Sequence, residues 1–329
     1  MAHVEDSLSQ AVLGGIIGLA VGDALGVPVE SVSRDRLKAE PVTGMIGHGA
    51  HNMPAGSWSD DTSLTLALLD GLTHGLDQTD LMQRFVRWAE DGAYTPAGRS
   101  FGFGRTTLRA LYRFANGASP EQCGGTSERD NGNGALMRIL PLGYYLQASF
   151  GPGFVGNDQA ISTMAQVVSL THNTVRNQLA CAIYLAIVGQ LVEGVPPAEA
   201  VRQGLDLATA RYGDQAEWAH FERLAAPGFA AMPEDQINSG GYVVDTLEAA
   251  VWCLLNHTDY ANCVLAAVNL GGDTDTTAAV AGGLAGTAYG SCAVPAEWLD
   301  QLIRRDYIEQ LCHDFNASLA ALAVRLLGT

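Results

Sequence analysis

The chain has 329 residues, of which 35 are acidic and 18 basic, so its formal net charge is −17. This charge argues against binding to nucleic acid or to an anionic membrane surface, because both need clustered cations. Apolar residues make up 47% of the chain, which is long enough to bury a substantial core. The six cysteines show no CxxC spacing and are too sparse for a disulfide scaffold.

The predicted secondary structure is almost entirely helical, and several segments begin with a capping residue or an early proline. The predicted helices are Leu8–Leu25, Leu64–Leu72, Asp80–Glu90, Thr106–Ala115, Ala135–Leu146, Ala160–Thr171, Val175–Leu191, Pro197–Tyr212, Val243–Leu255, Tyr260–Leu270, Thr276–Tyr289 and Glu309–Leu327. Alternating strand patterns are nearly absent. The irregular stretches lack the composition of a linker between two cores. The sequence therefore predicts an all-α fold with residues 1–329 in one domain.

The first helix carries glycines at strict four-residue spacing, at Gly14, Gly18, Gly22 and Gly26. Each glycine costs roughly 1 kcal/mol relative to alanine in a helix interior, so close packing of a second helix is the expected reason. The apolar stretch Ala11–Gly22 is too short to span a bilayer. The N-terminus also lacks the positive region of a signal peptide, so we expect a cytoplasmic protein.

Two short turns place carboxylates and a hydroxyl where apolar helices begin. They contain Ser59, Asp60, Asp61, Asp273, Asp275 and Thr276. Either turn alone would be explained by helix capping. Together with Glu30, which follows the glycine-rich helix, they supply the carboxylate and hydroxyl oxygens that Mg²⁺ and Mn²⁺ prefer. Five carboxylates and two hydroxyls suit two divalent cations with positions left for water and substrate.

Two other readings of the Asp-x-Asp-x-Thr pattern fail. In haloacid-dehalogenase-type phosphatases the pattern follows an apolar strand near the N-terminus, whereas here it lies close to the C-terminus of a chain without evident strands. An EF-hand needs a glutamate at position twelve of its loop, and that position is Leu284.

Two glycine-rich loops are candidate ligand-binding surfaces, with Gly132, Asn133 and Gly134 in one and Gly102 and Gly104 in the other. The first is predicted to open a helix, where free N–H groups would suit a phosphate, although an ordinary turn explains it equally well. His172 lies at a helix junction, where a histidine is more often a capping group than a functional one.

Taken in order, these segments resemble the ADP-ribosylglycohydrolase family, which includes dinitrogenase-reductase-activating glycohydrolases and ADP-ribosyl-acceptor hydrolases. The matching motifs are Gly-Asp-Ala-Leu-Gly with Glu30, Trp-Ser-Asp-Asp-Thr, Phe-Gly-x-Gly-Arg-Thr-Thr, Gly-Asn-Gly-x-x-Met-Arg, Leu-Thr-His, Ser-Gly-Gly-Tyr-Val-Val-Asp-Thr-Leu-Glu-Ala-Ala and Gly-Gly-Asp-Thr-Asp-Thr. They extend from about Gly14 to Gly290, so the resemblance covers nearly the whole chain.

The resemblance implies a compact all-α domain with a dinuclear Mg²⁺ or Mn²⁺ centre that cleaves ADP-ribose from an acceptor. By motif, the ligands would be Ser59, Asp60, Asp61, Asp273, Asp275 and Thr276, with Glu30 beside or on the metals. Asp60, Asp61 or Glu30 would orient the attacking water. The Gly132–Gly134 loop would contact the diphosphate or ribose. His172 and Tyr242 would line the distal-ribose and adenosine region, unless Tyr242 is simply a buried aromatic at a helix end.

One position departs from the family pattern. Several bacterial members carry Phe-Asp-x-Gly where this chain has Phe101-Gly102-Phe103-Gly104, and that aspartate has a catalytic or leaving-group role in some of them. The acceptor is therefore open. The substrate could be an ADP-ribosylated protein or a small ADP-ribose conjugate. A non-catalytic role, as in family members recruited as lens crystallins, is the rival hypothesis, and the intact acidic residues argue against it.

Overall fold

The computed structural model describes the backbone of residues 2–327 and the side chains of residues 7–325. The helices of this part of the chain are α1 (Ala2–Gly26), α2 (Arg34–Ala39), α3 (Asp60–His74), α4 (Gln78–Asp91), α5 (Arg105–Ala115), α6 (Leu140–Phe150), α7 (Asp158–Ser169), α8 (Val175–Val192), α9 (Pro197–Tyr212), α10 (Glu222–Ala225), α11 (Val243–Asn256), α12 (Tyr260–Asn269), α13 (Thr274–Tyr289), α14 (Ala296–Gln301) and α15 (Arg305–Leu327). Pairing between extended segments of residues 2–327 is limited to three isolated bridges. The all-α prediction is confirmed.

Helices α1 and α13 form the centre of the fold, and their backbones touch. A methyl group built at Gly18 would lie 2.4 Å from the carbonyl oxygen of Gly282. At Gly22 the corresponding distance to the carbonyl oxygen of Ala278 is 2.1 Å. No side chain fits at such distances, so the glycine spacing reports the close helix packing that the sequence predicted. The interface ends at Gly26, whose carbonyl accepts a hydrogen bond from the Thr274 hydroxyl at 2.8 Å.

Two helical segments, Ser7–Val29 and Val175–Val192, are long and apolar enough to cross a membrane by length and composition alone. The first is longer than the Ala11–Gly22 stretch, so the length argument made from the sequence was wrong. In the fold, 94% and 83% of their tested windows are buried inside the protein. Such burial is what helices of a protein core show.

Helix α6 begins later than the sequence predicted. Residues 134–138 form turns, and the helix starts at Leu140 with Pro141 in its first turn. Proline has no N–H to donate to the carbonyl of residue 137, so a helix running through this position would lose a hydrogen bond. Proline is tolerated in a first turn. The Gly132–Gly134 loop therefore does not lie directly at a helix N-terminus.

The short helices α2 and α14 were not predicted, because six residues are too few for a clear periodicity. Helix α2 is fixed by tertiary contacts at its first residue. The Arg34 guanidinium donates to the carbonyl of Leu270 at 2.7 Å and also contacts the carbonyls of Glu234 and Ile237. These bonds hold the segment after α1 against the turn that precedes α13.

Candidate metal centre and cleft

The first carboxylate turn is held by an aspartate from α1. Both Asp23 carboxylate oxygens accept a hydrogen bond from the backbone N–H of Ser59 at 3.0 Å, and Oδ2 also accepts from the N–H and hydroxyl of Thr62. Asp23 therefore satisfies N–H groups at the start of α3, as a capping residue does, from a different helix. Asp60 and Asp61, the first two residues of α3, are thereby fixed in place.

The second carboxylate turn begins α13 and is tied to the glycine-rich loop. The Asp273 carboxylate accepts a hydrogen bond from the Asn133 side chain at 2.7 Å, and the Asp273 N–H donates to the carbonyl of Ser239 at 2.8 Å. Asp275 is buried, and its carboxylate accepts from the N–H of Thr276 at 3.0 Å. The Asn133 side chain therefore serves to orient a carboxylate.

The fold brings the two turns together. Carboxylate oxygens of Asp23, Asp61 and Asp275 lie within 4.8 Å of one another, and all three residues are buried. The Thr276 hydroxyl donates to Asp61 Oδ2 at 3.4 Å, and the Ser59 hydroxyl donates to the same oxygen at 2.8 Å. Asp61 Oδ1 is buried and has no hydrogen-bond partner among the described residues. An unpartnered carboxylate oxygen in an acidic cluster is what a divalent cation would satisfy.

The electrostatics of the acidic cluster also favour a bound cation. Burial first, and then the neighbouring carboxylates, raise the pKa values of Asp60, Asp61 and Asp275 well above the ordinary value of 3.8. Burial also raises the pKa of Asp23 to about 6. Without a cation, ionising these groups together is costly, because like charges repel strongly in a medium of low polarity. A bound cation would offset the free-energy cost of ionising these carboxylates.

Glu30 lies at the edge of this cluster with a partner that the sequence did not indicate. Its carboxylate is in hydrogen-bond contact with His51 Nε2, and His51, Glu30 and Asp275 offer ligand atoms within 4.8 Å of one another. The His51 ring packs on Phe101 with centroids 5.0 Å apart. The contact with Glu30 raises the pKa of His51 against the effect of partial burial.

A cleft of about 550 Å³ opens above the acidic cluster. Its lining includes acidic residues from both turns and residues from both glycine-rich loops: Glu30, His51, Asp60, Gly102, Phe103, Gly104, Arg105, Thr106, Thr107, Arg129, Gly132, Asn133, Gly134, Met137, His172, Gly241, Asp273, Asp275 and Thr276. Ser59 and Asp61 lie behind this surface and are buried. The structure thus gathers candidate residues from six separate segments at one cavity.

Tyr242 lies beside the cleft and is not among its lining residues. It precedes α11 and pairs with Gly132 in an isolated bridge. Its hydroxyl accepts a hydrogen bond at 3.2 Å from Arg176, which also pairs with Glu128 and Glu217. Tyr242 therefore contributes to the support of the Gly132–Gly134 loop.

His172 faces the cleft from behind that loop and is almost fully buried. A methyl group built at Gly134 would lie 2.8 Å from His172 Cε1, so only glycine fits there. His172 Nδ1 shares a hydrogen bond with the Thr171 hydroxyl at 2.8 Å. Burial, followed by the positive charge of Arg138, lowers the pKa of His172 to about 3.

We expect His172 to remain neutral down to about pH 3, since its pKa lies far below the usual 6.5. Its ring proton signal, assigned by its loss in His172→Gln, should not shift between pH 5 and 8 in NMR titration. Protonation of His172 near pH 6 would contradict the burial described here.

Gly102 and Gly104 lie in the same loop but differ in backbone conformation and in the space around them. Gly102 has a φ of +75°, and a methyl group there would lie 2.3 Å from Asp60 Oδ1. Gly104 has a φ of −65°, and its nearest neighbour would be the Thr107 hydroxyl oxygen at 3.7 Å. The backbone at residue 102 therefore occupies the space against Asp60, and an aspartate in its place would displace that carboxylate.

Gly102→Ala is expected to lower kcat by about 10²-fold, because displacement of a reacting carboxylate by an ångström has effects of this size. Gly156→Ala, the matched control, should stay within about twofold of the wild type, because residue 156 lies outside the cleft and its new methyl group would meet nothing within 4 Å. Steady-state hydrolysis assays compare the two variants. Equal activities would show that residue 102 does not control Asp60.

Asp23 and His51 are the residues of the site that the sequence analysis missed. The available signal for Asp23 was a single charged residue within a buried apolar helix, which needs a strong local partner. His51 gave no such signal, because it lies in an irregular segment and meets Glu30 only after folding.

Comparison with known proteins shows the family of the chain. The model of the family described as ADP-ribosylglycohydrolase matches residues 5–324. The chain is 33% identical over 309 residues to the ADP-ribosylarginine hydrolase Tri1 of Serratia proteamaculans, covering 93% of this chain and 78% of that protein. It is 30% identical over 300 residues to the ADP-ribosyl-[dinitrogen reductase] glycohydrolase of Rhodospirillum rubrum, covering 90% and 91% of the two chains.

A solved structure gives the same result. It is described as an ADP-ribosylglycohydrolase-related protein complex, and it matches with a TM-score of 0.78 and 33% sequence identity over 95% of this chain and 99% of that one. The family model covers nearly the whole of this chain, and the fold agrees along the same length. The chain therefore belongs to the ADP-ribosylglycohydrolase family.

Proposed function

We propose that this protein is a metal-dependent hydrolase that cleaves the bond between the anomeric carbon of ADP-ribose and an acceptor group. Its named relatives are ADP-ribosyl hydrolases, which supports hydrolysis of an ADP-ribose conjugate. The observation that carries the metal dependence is the buried, unpartnered Asp61 Oδ1 within a cluster of carboxylates at the base of a cleft.

The donor set fits two hard divalent cations, Mg²⁺ or Mn²⁺. The proposed ligands are Ser59, Asp60, Asp61, Asp273, Asp275 and Thr276. Asp23 is assigned a positioning role, because its oxygens already accept hydrogen bonds from Ser59 and Thr62. Cations bound there would supply Lewis acidity and lower the pKa of a water molecule.

The protein's own groups would organise the rest of the reaction. Asp60 and Glu30 line the cleft, so either carboxylate is placed to accept a proton from the attacking water, whereas Asp61 is behind the surface. The anomeric carbon would develop oxocarbenium character as the acceptor departs, as in other glycoside cleavages. The Gly132–Gly134 loop, which lines the same cleft, would bind the diphosphate or ribose.

We place arginine-linked ADP-ribose first among the acceptors. The Serratia proteamaculans relative is named as an ADP-ribosylarginine hydrolase, although this chain has Gly102 where several members carry an aspartate. O-linked serine conjugates are the second choice.

The test is release of ADP-ribose from arginine-, serine- and nucleic-acid-linked conjugates, each assayed with Mg²⁺, with Mn²⁺ and with a chelator. We expect turnover of the arginine conjugate that needs the cation, and no turnover by Asp60→Ala plus Asp275→Ala. Calorimetry of Mg²⁺ and ADP-ribose accompanies the assay. Binding of both without cleavage of any conjugate would favour a non-catalytic role.

A further inference from the structure

The outer face of α5 carries exposed apolar and basic side chains in one line. Arg105, Leu108, Arg109 and Tyr112 are spaced at i, i+3, i+4 and i+7, which places them on the same side of a helix. Leu108 is 38% exposed and Tyr112 is 71% exposed. The opposite side of α5, with Ala110 and Leu111 among others, is buried. We call the four exposed residues the α5 stripe.

The charge around the α5 stripe is opposite to that of the whole chain. Residues 97–140 contain six arginines and three acidic residues, whereas the chain as a whole has a net charge of −17. Arg109 pairs with Asp130, which is buried beneath it. Within residues 7–325, whose side chains the structure describes, neither Arg105 nor Arg129 forms a salt bridge, and both are exposed.

The α5 stripe is continuous with the cleft but extends beyond it. Phe103, Arg105 and Arg129 line the cleft mouth, whereas Leu108 and Tyr112 do not. Tyr112 lies roughly 10 Å further along the helix axis than Arg105, at about 1.5 Å per residue. An extended peptide crosses that distance with about three residues. A peptide bound along the α5 stripe would therefore place its modified residue at the cleft and about three neighbouring residues on the stripe.

We propose that the α5 stripe docks an acidic segment of an ADP-ribosylated protein, next to the residue that carries ADP-ribose. The arginines would attract acidic side chains, and Leu108 and Tyr112 would pack against an apolar side chain between them. We favour a protein over a nucleic acid for two reasons. The acidic remainder of the molecule repels a polyanion, and a phosphate backbone has no apolar group that would pack against the exposed Leu108. This inference rests on the proposed function and specifies its substrate class.

The experiment uses arginine-ADP-ribosylated peptides flanked by acidic, neutral or lysine residues, with free ADP-ribosylarginine and an ADP-ribosylated oligonucleotide as further probes. Two double variants change the charge of the stripe in opposite directions at positions outside the cleft: Leu108→Glu with Tyr112→Glu, and Leu108→Lys with Tyr112→Lys. The matched control for the glutamate pair is Ala321→Glu with Val324→Glu, because both residues are neutral and exposed on α15, away from the cleft.

The wild type should cleave the acid-flanked peptide with a kcat/KM about tenfold above that of the lysine-flanked peptide. This difference should arise from KM, and it should become smaller at high salt. The glutamate pair should remove this preference, and the lysine pair should keep it. Free ADP-ribosylarginine should be cleaved equally by all variants.

Each other outcome has a distinct meaning. If the wild type cleaves no conjugate, the proposed function itself fails. Cleavage of free ADP-ribosylarginine with no preference among peptides would overturn only the docking inference. Equal losses in the glutamate and lysine pairs would show apolar docking without charge recognition, and preference for the oligonucleotide would assign the stripe to nucleic acid. A change in oligomeric state of the variants, measured by light scattering, would show that a second copy of the chain covers the stripe.

Discussion

Asp61→Asn is expected to lower the release of ADP-ribose by about 10³-fold, because loss of a charged ligand would weaken the proposed metal centre, which would stabilise charge by several kcal/mol. The Asp61 carboxylate faces both Asp275 and the Thr276 hydroxyl across the two turns. An amide keeps the shape of the side chain but removes the charge. Activity assays over a range of Mg²⁺ concentrations measure the loss.

The same substitution should stabilise the metal-free protein. Folding raises the pKa of Asp61 well above 3.8, so the folded state binds this proton more tightly than the unfolded state does. The wild type therefore loses stability as pH rises above about 4 and through the raised pKa. Asparagine has no such cost, so the melting temperature of metal-free Asp61→Asn should exceed that of the wild type by a few degrees at pH 7, and by less at pH 4.

Asp77→Asn is the matched control. Asp77 is the N-cap of α4 and its carboxylate accepts hydrogen bonds from the N–H groups of Thr79 and Asp80, a role that asparagine also performs. It should leave activity and Mg²⁺ response unchanged. A wild type that melts at the same temperature with and without Mg²⁺ would contradict the metal centre, as would full activity of Asp61→Asn.

Gly22→Ala is expected to lower the free energy of unfolding by about 3 kcal/mol, at the upper end of the usual cost of overpacking, because the new methyl group meets backbone that cannot move aside. It would lie 2.1 Å from the carbonyl oxygen of Ala278 and 2.7 Å from the carbonyl carbon. Separating α1 from α13 should also pull Asp23 away from Asp275. We therefore expect weaker Mg²⁺ binding in calorimetry together with a lower urea midpoint.

Gly228→Ala provides the comparison. Gly228 has a φ of −91°, and a methyl group there would meet nothing within 4 Å. This variant should be as stable as the wild type or more stable by up to about 1 kcal/mol, since alanine restricts the unfolded chain. Similar unfolding free energies for the two variants would show that α1 and α13 can separate at little cost.

The sequence was most informative where a local pattern has one physical cause. Glycines four residues apart in an apolar helix have few explanations other than close helix packing, and the structure shows that packing along α1. The acidic turns could also be identified from the sequence, because Asp60–Asp61 and Asp273–Asp275 each lie where a helix begins. Their convergence depended on the resemblance of the whole chain to a family, since spacing alone does not show that two turns meet.

The missed features depend on contacts between distant segments. Asp23 completes the first turn of α3, 36 residues away, and nothing near it in sequence shows this partner. The start of α6 was misjudged for a different reason. The Gly132–Gly134 turn looked like the start of a helix, whereas Pro141 fixes the start, so two local signals competed and proline prevailed.

The pairing of α1 with α13 has a consequence for how the chain is made. Helix α1 is synthesised before α13, and the glycine face that α13 covers has no partner until residues 274–289 leave the ribosome. Elongation at about 5–20 residues per second makes this delay tens of seconds. Throughout that time the nascent chain exposes a segment that is long and apolar enough to cross a membrane. We expect chaperones to occupy α1 during translation, and ribosome-bound chains that stop before α13 to remain protease-sensitive and prone to aggregate.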